Sequence, residues 1–224
     1  MLRVATYNAH DCIGQDGVYA PERIAHLVSD LHADVVALQE ITLDHAGDVL
    51  SCLERITHLQ VIDGTLFDRG VGRYGNVLLT RYPVIGQKAH DLSLAGREPR
   101  GLVDASLQIA DRAWRVLATH LGLSRRERQE QIARISRLLP NDSRPTLVMG
   151  DFNIWLGAGA FAPLRALGFR QERVGSFPTW SLPLLSLDKI WVRCPARILR
   201  CWRCESSVAK IASDHFPVLA DLSA

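Results

Sequence analysis

The chain has no apolar run approaching the length of a membrane-spanning helix, no internal repeat and no low-complexity tract. Room for a secretory signal is missing as well, because Leu2-Arg3-Val4-Ala5-Thr6-Tyr7 already reads as a first strand. An excess of either charge is absent: 26 basic and 24 acidic residues leave a formal net charge of +2. That balance permits an anionic substrate but is too weak to argue for nucleic acid. Cysteine is sparse and odd in number (Cys12, Cys52, Cys194, Cys201, Cys204), which argues against an obligatory disulfide framework. Cys201-Trp202-Arg203-Cys204 has no second pair and lies in a strand-like stretch, where i and i+3 face opposite ways, so zinc or redox chemistry is the minority reading. A reducing, cytoplasmic setting fits best. With no linker in sight, residues 1–224 are expected to form a single domain, and a monomer.

What is present is a series of apolar strands ending in polar side chains. Thr146-Leu147-Val148-Met149 runs into Gly150-Asp151-Phe152-Asn153, which reads as a buried strand closed by a glycine. If the segment stays extended, Asp151 and Asn153 share one face. An Asx-type turn is the structural alternative. Thr6-Tyr7-Asn8 and Asp34-Val35-Val36-Ala37-Leu38-Gln39-Glu40 repeat the pattern, and Trp114 to His120 ends in Thr119-His120. Leu187-Asp188-Lys189-Ile190-Trp191-Val192 and Ser213-Asp214-His215-Phe216-Pro217 complete it.

Between the first two strands, Ile24, Leu27, Val28 and Leu31 fall at helical spacing behind Pro21. A second helix is expected from Asp44 to Ile56. From Leu59 to Ser106, dense Gly and Pro punctuation predicts short antiparallel strands, followed by a hairpin turning at Ala110 to Ala113. Ser124 and Glu127 form a capping-box pattern for a helix to Leu139 that turns Ile132, Ile135 and Leu139 inward. Arg125, Arg126, Arg128, Arg134 and Arg137 would then be its solvated face. A short helix is expected from Phe161 to Leu167.

Asn8, Glu40, His120, Asp151, Asn153, Asp188, Asp214 and His215 thus lie at or near strand ends. Singly each is more often structural. Together they offer hard oxygen ligands, two histidines and amide donors, the inventory needed to hydrolyse a phosphate ester. A lone Glu beside neutral oxygens suits Mg²⁺, which keeps part of its water shell and prefers carboxylate to imidazole.

The same segments, with Tyr74-Gly75-Asn76 leading into Leu78-Leu79-Thr80-Arg81, occur in an order that resembles the endonuclease/exonuclease/phosphatase superfamily from residue 6 to 217. Its members include pancreatic-type deoxyribonuclease, abasic-site endonucleases, neutral sphingomyelinases and inositol-polyphosphate phosphatases. The resemblance implies an α/β four-layer sandwich, two mainly antiparallel sheets packed face to face with helices outside, and a Mg²⁺ (or Mn²⁺) cofactor. It implies Glu40 as main metal ligand with Asn8 and Asp214 nearby, and His215 facing the phosphate and oriented by Asp188. Asp151 would position or deprotonate water, Asn153 would steady the transition state, and His120 would protonate the leaving oxygen. Asn8, Tyr74, Arg97 and Arg100 would contact substrate. Deoxyribonuclease-like members carry a glutamate near the position of Tyr74; here the neighbourhood is Arg73-Tyr74-Gly75.

The expected activity is Mg²⁺-dependent hydrolysis of a phosphodiester, with nucleic acid (a nuclease) and phospholipid as competing substrates. A phosphomonoesterase acting on a small metabolite, and a catalytically silent binding module, are the alternatives. The segment from Phe177 to Ser186 is unusually apolar for the rim of such a site, which hints at a transient membrane-surface contact; a buried loop is the commoner meaning.

Overall fold

The computed structural model describes residues 1–223 except 45–48, 69, 71, 141–142 and 156–157. β1 (Leu2–Asn8) alternates between two buried faces, sending Leu2 and Val4 into one core and Ala5 and Tyr7 into another. β2 (Val35–Asp44) does the same with Val35 and Ala37 against Val36 and Leu38. Strands apolar on both faces need a layer on each side. Between them α1 (Pro21–Asp30) buries Ile24, Leu27 and Val28, and this crossover makes the two strands parallel.

β4 (Gly72–Thr80) pairs antiparallel with β2 and β3 (Gln60–Asp68) antiparallel with β4, and β11 (Arg197–Arg203) and β12 (Val218–Ser223) complete the sheet beyond β1. Its order is β11-β12-β1-β2-β4-β3. The second sheet contains β5 (Val84–Asp91), β6 (Gly101–Ile109), β7 (Arg112–His120), β8 (Thr146–Asp151), β9 (Phe169–Arg170) and β10 (Asp188–Arg193), in the order β5-β6-β7-β8-β10-β9. Here too one pair is parallel, β7 with β8, joined through α3 (Arg125–Leu138). The remaining pairings are antiparallel.

The inner faces meet over Val4, Ala37, Leu78, Val103, Val116, Met149 and Val218. Outside the first sheet, α1, α2 (Val49–Thr57) and α5 (Ser207–Ala212) close a second core. Outside the other, α3 contributes Ile132 and Ile135, and α4 (Ala162–Ala166) contributes Leu164. The result is the four-layer sandwich. The capping box is formed as expected: Ser124 Oγ accepts the Glu127 N–H at 3.3 Å, and Glu127 Oε2 accepts the Ser124 N–H at 3.0 Å.

One boundary is corrected. Asp44 does not open a helix, because Ile41 to Asp44 go on pairing with β4, down to Asp44 opposite Gly72; the helix is described from Val49 onward. Residues 45–48, also expected to be helical, lie outside the described residues. All five cysteines are free, with Cys201 packed toward the inter-sheet core and Cys204 toward the helix side, as i, i+3 spacing in a strand requires. Among the described residues, no helix is long and apolar enough to cross a membrane.

Candidate active site

Register brings three strand ends of the second sheet abreast, pairing His120 with Asp151 and Asp151 with Asp188. From the first sheet, Asn8 ends β1 and reaches across, its Nδ2 donating to Asp151 Oδ2 at 3.2 Å and to Glu40 Oε1 at 2.9 Å. The site is therefore the mouth between the two sheets at one end of the sandwich.

Glu40 arrives there through a β-bulge. Leu38 and Ile41 both face the helix-side core, which a strict two-residue alternation forbids, and the β2–β4 register shifts between them. Glu40 takes φ +55°, uncommon for a residue with a Cβ. Bulges of this kind re-aim side chains beside functional sites. Burial pushes the Glu40 carboxyl above its ordinary range. The Asn8 N–H works against that, and the negative charge of Asp151 adds to it.

Gly150 is required by close approach. It sits at φ +147°, and a Cβ there would meet the Thr119 carbonyl oxygen at 1.8 Å. Beyond Asp151 the chain leaves the strand: Asn153 adopts φ +51° and its N–H donates to Asp151 Oδ1 at 2.8 Å. Asp151 and Asn153 do share the cleft, but through an Asx-type turn and not through extended alternation.

Asp188 is buried at the start of β10 and its Oδ2 lies 2.7 Å from His215 Nδ1. Ser213 sets the backbone of this segment, its Oγ donating to the Asn8 carbonyl at 2.7 Å and accepting the His215 N–H at 3.2 Å. Nε2 of His215 faces the cleft, 3.8 Å from Asp151 Oδ2 and 4.0 Å from Asp214 Oδ1. Burial alone would disfavour the imidazolium, but Asp188, Asp151 and Asp214 outweigh it and push the His215 pKa up to about 10.

His120 is held differently. Asn153 Nδ2 donates to the Leu121 carbonyl at 2.9 Å and lies 3.0 Å from His120 Nε2, so this ring nitrogen is an acceptor. His120 Nδ1 then carries the proton, 3.8 Å from Glu40 Oε1. Both N–H groups of Asn153 face partners within the protein here, the Leu121 carbonyl and the His120 ring.

An open cleft of about 510 Å³ collects Asn8, Glu40, Tyr74, Arg100, His120, Asp151, Asn153, Asp214 and His215. Asp188 lies behind His215, and Arg97 is exposed and outside the lining. Arg100 is buried and paired with Glu98 at 2.7 Å. Sequence reasoning missed Arg128, Glu98, Leu123 and Trp155, all of which line the cleft, and Phe177, the first residue of the segment expected at the rim, lines it as well. Arg128 was masked by its basic helix. Its one available signal was position, one turn behind the Ser124 cap and thus near the mouth.

Four carboxylates (Glu40, Asp151, Asp188 and Asp214) meet here, and among the described residues their ion pairs are with His120 and His215, none with Lys or Arg. Asp151, Asp188 and His215 bring ligand atoms within 4.8 Å of one another. A cation among those three would have to break the 2.7 Å Asp188–His215 bond, and a hard ion avoids imidazole. Asn8 Oδ1 accepts the His10 N–H at 3.0 Å while Nδ2 faces the carboxylates, so Asn8 ties Glu40 to Asp151.

This chain is 30% identical to the protein YbhP of Escherichia coli (strain K12), over 87% of its own length and 85% of that protein's. In structure it is similar to a mannosyl-6-phosphatase of Bacteroides thetaiotaomicron VPI-5482, with TM-score 0.81, 18% identity and complete coverage of both chains. It is likewise similar to TDP2 of D. rerio complexed with a single-strand DNA product, with TM-score 0.77, 17% identity, and 100% and 99% coverage of the two chains. At such identities the likeness is one of fold. The sequence model that matches residues 5–215, nearly the whole span from β1 to His215, is what decides membership: the chain belongs to the endonuclease/exonuclease/phosphatase family.

Proposed function

We propose that this protein is a divalent-cation-dependent phosphoesterase, with Mg²⁺ (or Mn²⁺) as cofactor and a phosphodiester as substrate. One observation carries the reading: buried carboxylates converge without a lysine or arginine ion pair, next to an imidazole that a further buried carboxylate keeps charged. The raised Glu40 carboxyl is what such a site looks like when a positive charge is part of its design. Its oxygen-rich donor set fits a hard cation. Glu40 would hold it, with Asp214 as the second carboxylate; the bound ion would polarise the phosphoryl oxygen and neutralise charge developing on it.

The chain's own residues would do the rest. Asp188 fixes His215 with its Nδ1 proton inward, so that Nε2–H is presented to a phosphoryl oxygen as a charge-assisted donor. Asp151 has Oδ1 occupied by the Asn153 N–H, leaving Oδ2, which Asn8 orients, to accept the proton of the attacking water. Asn153 and Glu40 hold His120 with its Nε2 as acceptor, able to take a hydrogen bond but not to supply a proton there. Arg100 and Arg128, which both line the cleft, would supply positive charge for an anionic substrate.

The test is hydrolysis of bis-p-nitrophenyl phosphate and p-nitrophenyl phosphate by the purified chain, with Mg²⁺ and with chelator. Mg²⁺-dependent release from the diester that Glu40→Gln abolishes is the expected result. Release from the monoester alone points to the phosphomonoesterase reading, and none from either, with phosphate-ester panels also silent, to a binding module.

A further inference from the structure

Large apolar side chains are exposed mainly at one end of this molecule. Leu123, Trp155, Trp180, Leu182 and Leu184 are between 56% and 73% exposed. Each stands in a loop that follows or precedes a site residue: Leu123 after His120, Trp155 after Asn153, and the other three before Asp188. Tyr19 and Ile211 extend the set, lying in the loop after Asn8 and just before Ser213. Among the described residues Ile13 and Val18 share the loop of Tyr19 and Val208 lies on α5 with Ile211, while Met1, Ile85 and Leu199 stand at the far end or on edge strands.

The loop carrying Trp180 is tied to the site. Its Thr179 N–H and Oγ donate to the Asp214 and Ser213 carbonyls at 3.0 and 2.8 Å. Trp180 packs edge-on against Phe177 at 5.3 Å between ring centroids, and Phe177 lies 4.9 Å from the His215 ring. The apolar side chains therefore stand on several separate loops around the cleft mouth: Leu123 and Trp155 line the cleft itself, while Trp180, Leu182 and Leu184 stand outside its lining. A helix or strand of a partner needs a groove or an edge; a fluid plane does not. Exposed Arg125 and Arg126 follow Leu123 after Ser124, adding positive charge to the same rim.

We infer that this end of the sandwich docks on a bilayer surface containing anionic phospholipid, with the apolar rim entering the interface and Arg125 and Arg126 facing the headgroups. Trp at the headgroup boundary and Arg beside it are the residues such an interface selects. The inference rests on the phosphoesterase reading for its purpose, which is to bring the phosphate ester of a lipid to the cleft mouth, but not for the docking itself.

The experiment is flotation of the full chain with vesicles of phosphatidylcholine, alone and mixed with phosphatidylglycerol. It is run beside turnover of soluble bis-p-nitrophenyl phosphate with Mg²⁺. Wild type should float with the mixed vesicles, less so at high salt. Leu182→Ser with Leu184→Ser should weaken partition by about a hundredfold, roughly tenfold for each leucine removed from the interface. It should leave soluble turnover unchanged, since neither side chain lines the cleft. Ile85→Ser, at the far end, should float like wild type. Arg125→Glu with Arg126→Glu should erase the preference for anionic vesicles. The inference is overturned if wild type does not float, or if the double serine variant floats as well as wild type. Binding of single-stranded oligonucleotide in place of vesicles would overturn it in favour of a nucleic-acid surface, and a dimer that the serine variant dissolves, with no vesicle binding, in favour of self-association. Flotation without diester hydrolysis would sink the phosphoesterase reading and leave the docking standing; hydrolysis without flotation would do the reverse.

Discussion

At the end of the sandwich away from the cleft, Arg3 on β1 donates to Asp221 on β12 at 2.7 and 3.1 Å, and these hydrogen bonds hold the Asp221 carboxyl below its ordinary range. On the same side Arg193 ends β10 by donating to the Pro140 carbonyl at 2.7 Å and to Thr146 Oγ1 at 3.1 Å. At the cleft end the same two sheets leave Glu40 with a raised pKa beside Asp151, set Glu40 and Asn153 at positive φ, and expose tryptophan and leucine. One end spends its charges on holding strands together. The other gathers Glu40, Asp151, Asp188 and Asp214 around two histidines with no lysine or arginine ion pair to them among the described residues, which is where function is expected to take precedence over stability.

The contrast breaks most visibly in catalysis. Glu40→Gln or Asp151→Asn should lower Mg²⁺-dependent diester turnover by about a thousandfold or more, with the far-ultraviolet circular dichroism unchanged. Near-normal turnover in either variant would remove that residue from the site. Asp221→Asn, by contrast, should leave turnover per folded molecule as it was.

Asp188→Asn and His215→Ala should each cost about 10²–10⁴ in kcat, and the double variant should be little worse than either, because the carboxylate acts through the ring. Fully multiplicative losses would show that the two work independently.

Stability should respond in the opposite sense at the two ends. Asp221→Asn removes a partly exposed bidentate pair and should cost about 1 kcal/mol, or about 2–4 °C in Tm. In the folded chain Asp221 has a depressed pKa, so its contribution is fully present above the unfolded value of about 3.9 and is lost as pH falls through the lower folded value. The variant should lack that part of the acid slope in thermal melts.

The smallest effect sharpens the comparison furthest. In chelator, Glu40→Gln should match or exceed wild type in stability by up to about 1 kcal/mol, read from thermal melts, because it relieves a half-buried carboxylate that faces another. Added Mg²⁺ should then raise the Tm of wild type and not of the variant. A large loss of stability in Glu40→Gln would mean that this end, too, is built chiefly for holding the fold.

Much of the architecture was legible in the chain. Alternating apolar residues, Pro21 before a helical stripe, and the Ser124/Glu127 cap act over a few residues, and each produced the element expected of it. So did the polar residue at the end of each strand. The start of α2 was misjudged because Asp44 reads locally as a helix cap, whereas β4 supplies the ladder that keeps Ile41 to Asp44 extended.

Tertiary structure decided the rest, since the forces concerned join residues far apart in sequence. Glu40 reaches the cleft only because a bulge breaks the alternation that made its strand recognisable. Asn153 is turned toward His120, 33 positions earlier, and Asn8 joins carboxylates 32 and 143 positions away. Arg128 looks like one more arginine on a solvated helix until the helix is docked. Whether Trp180 and Leu184 are core or rim cannot be read from their own apolarity, because burial depends on what the folded chain places over them. Composition and periodicity therefore set the layers and the list of chemical groups, while register, a bulge and one Asx turn set which of those groups meet, through distances and desolvation that exist only in the folded chain.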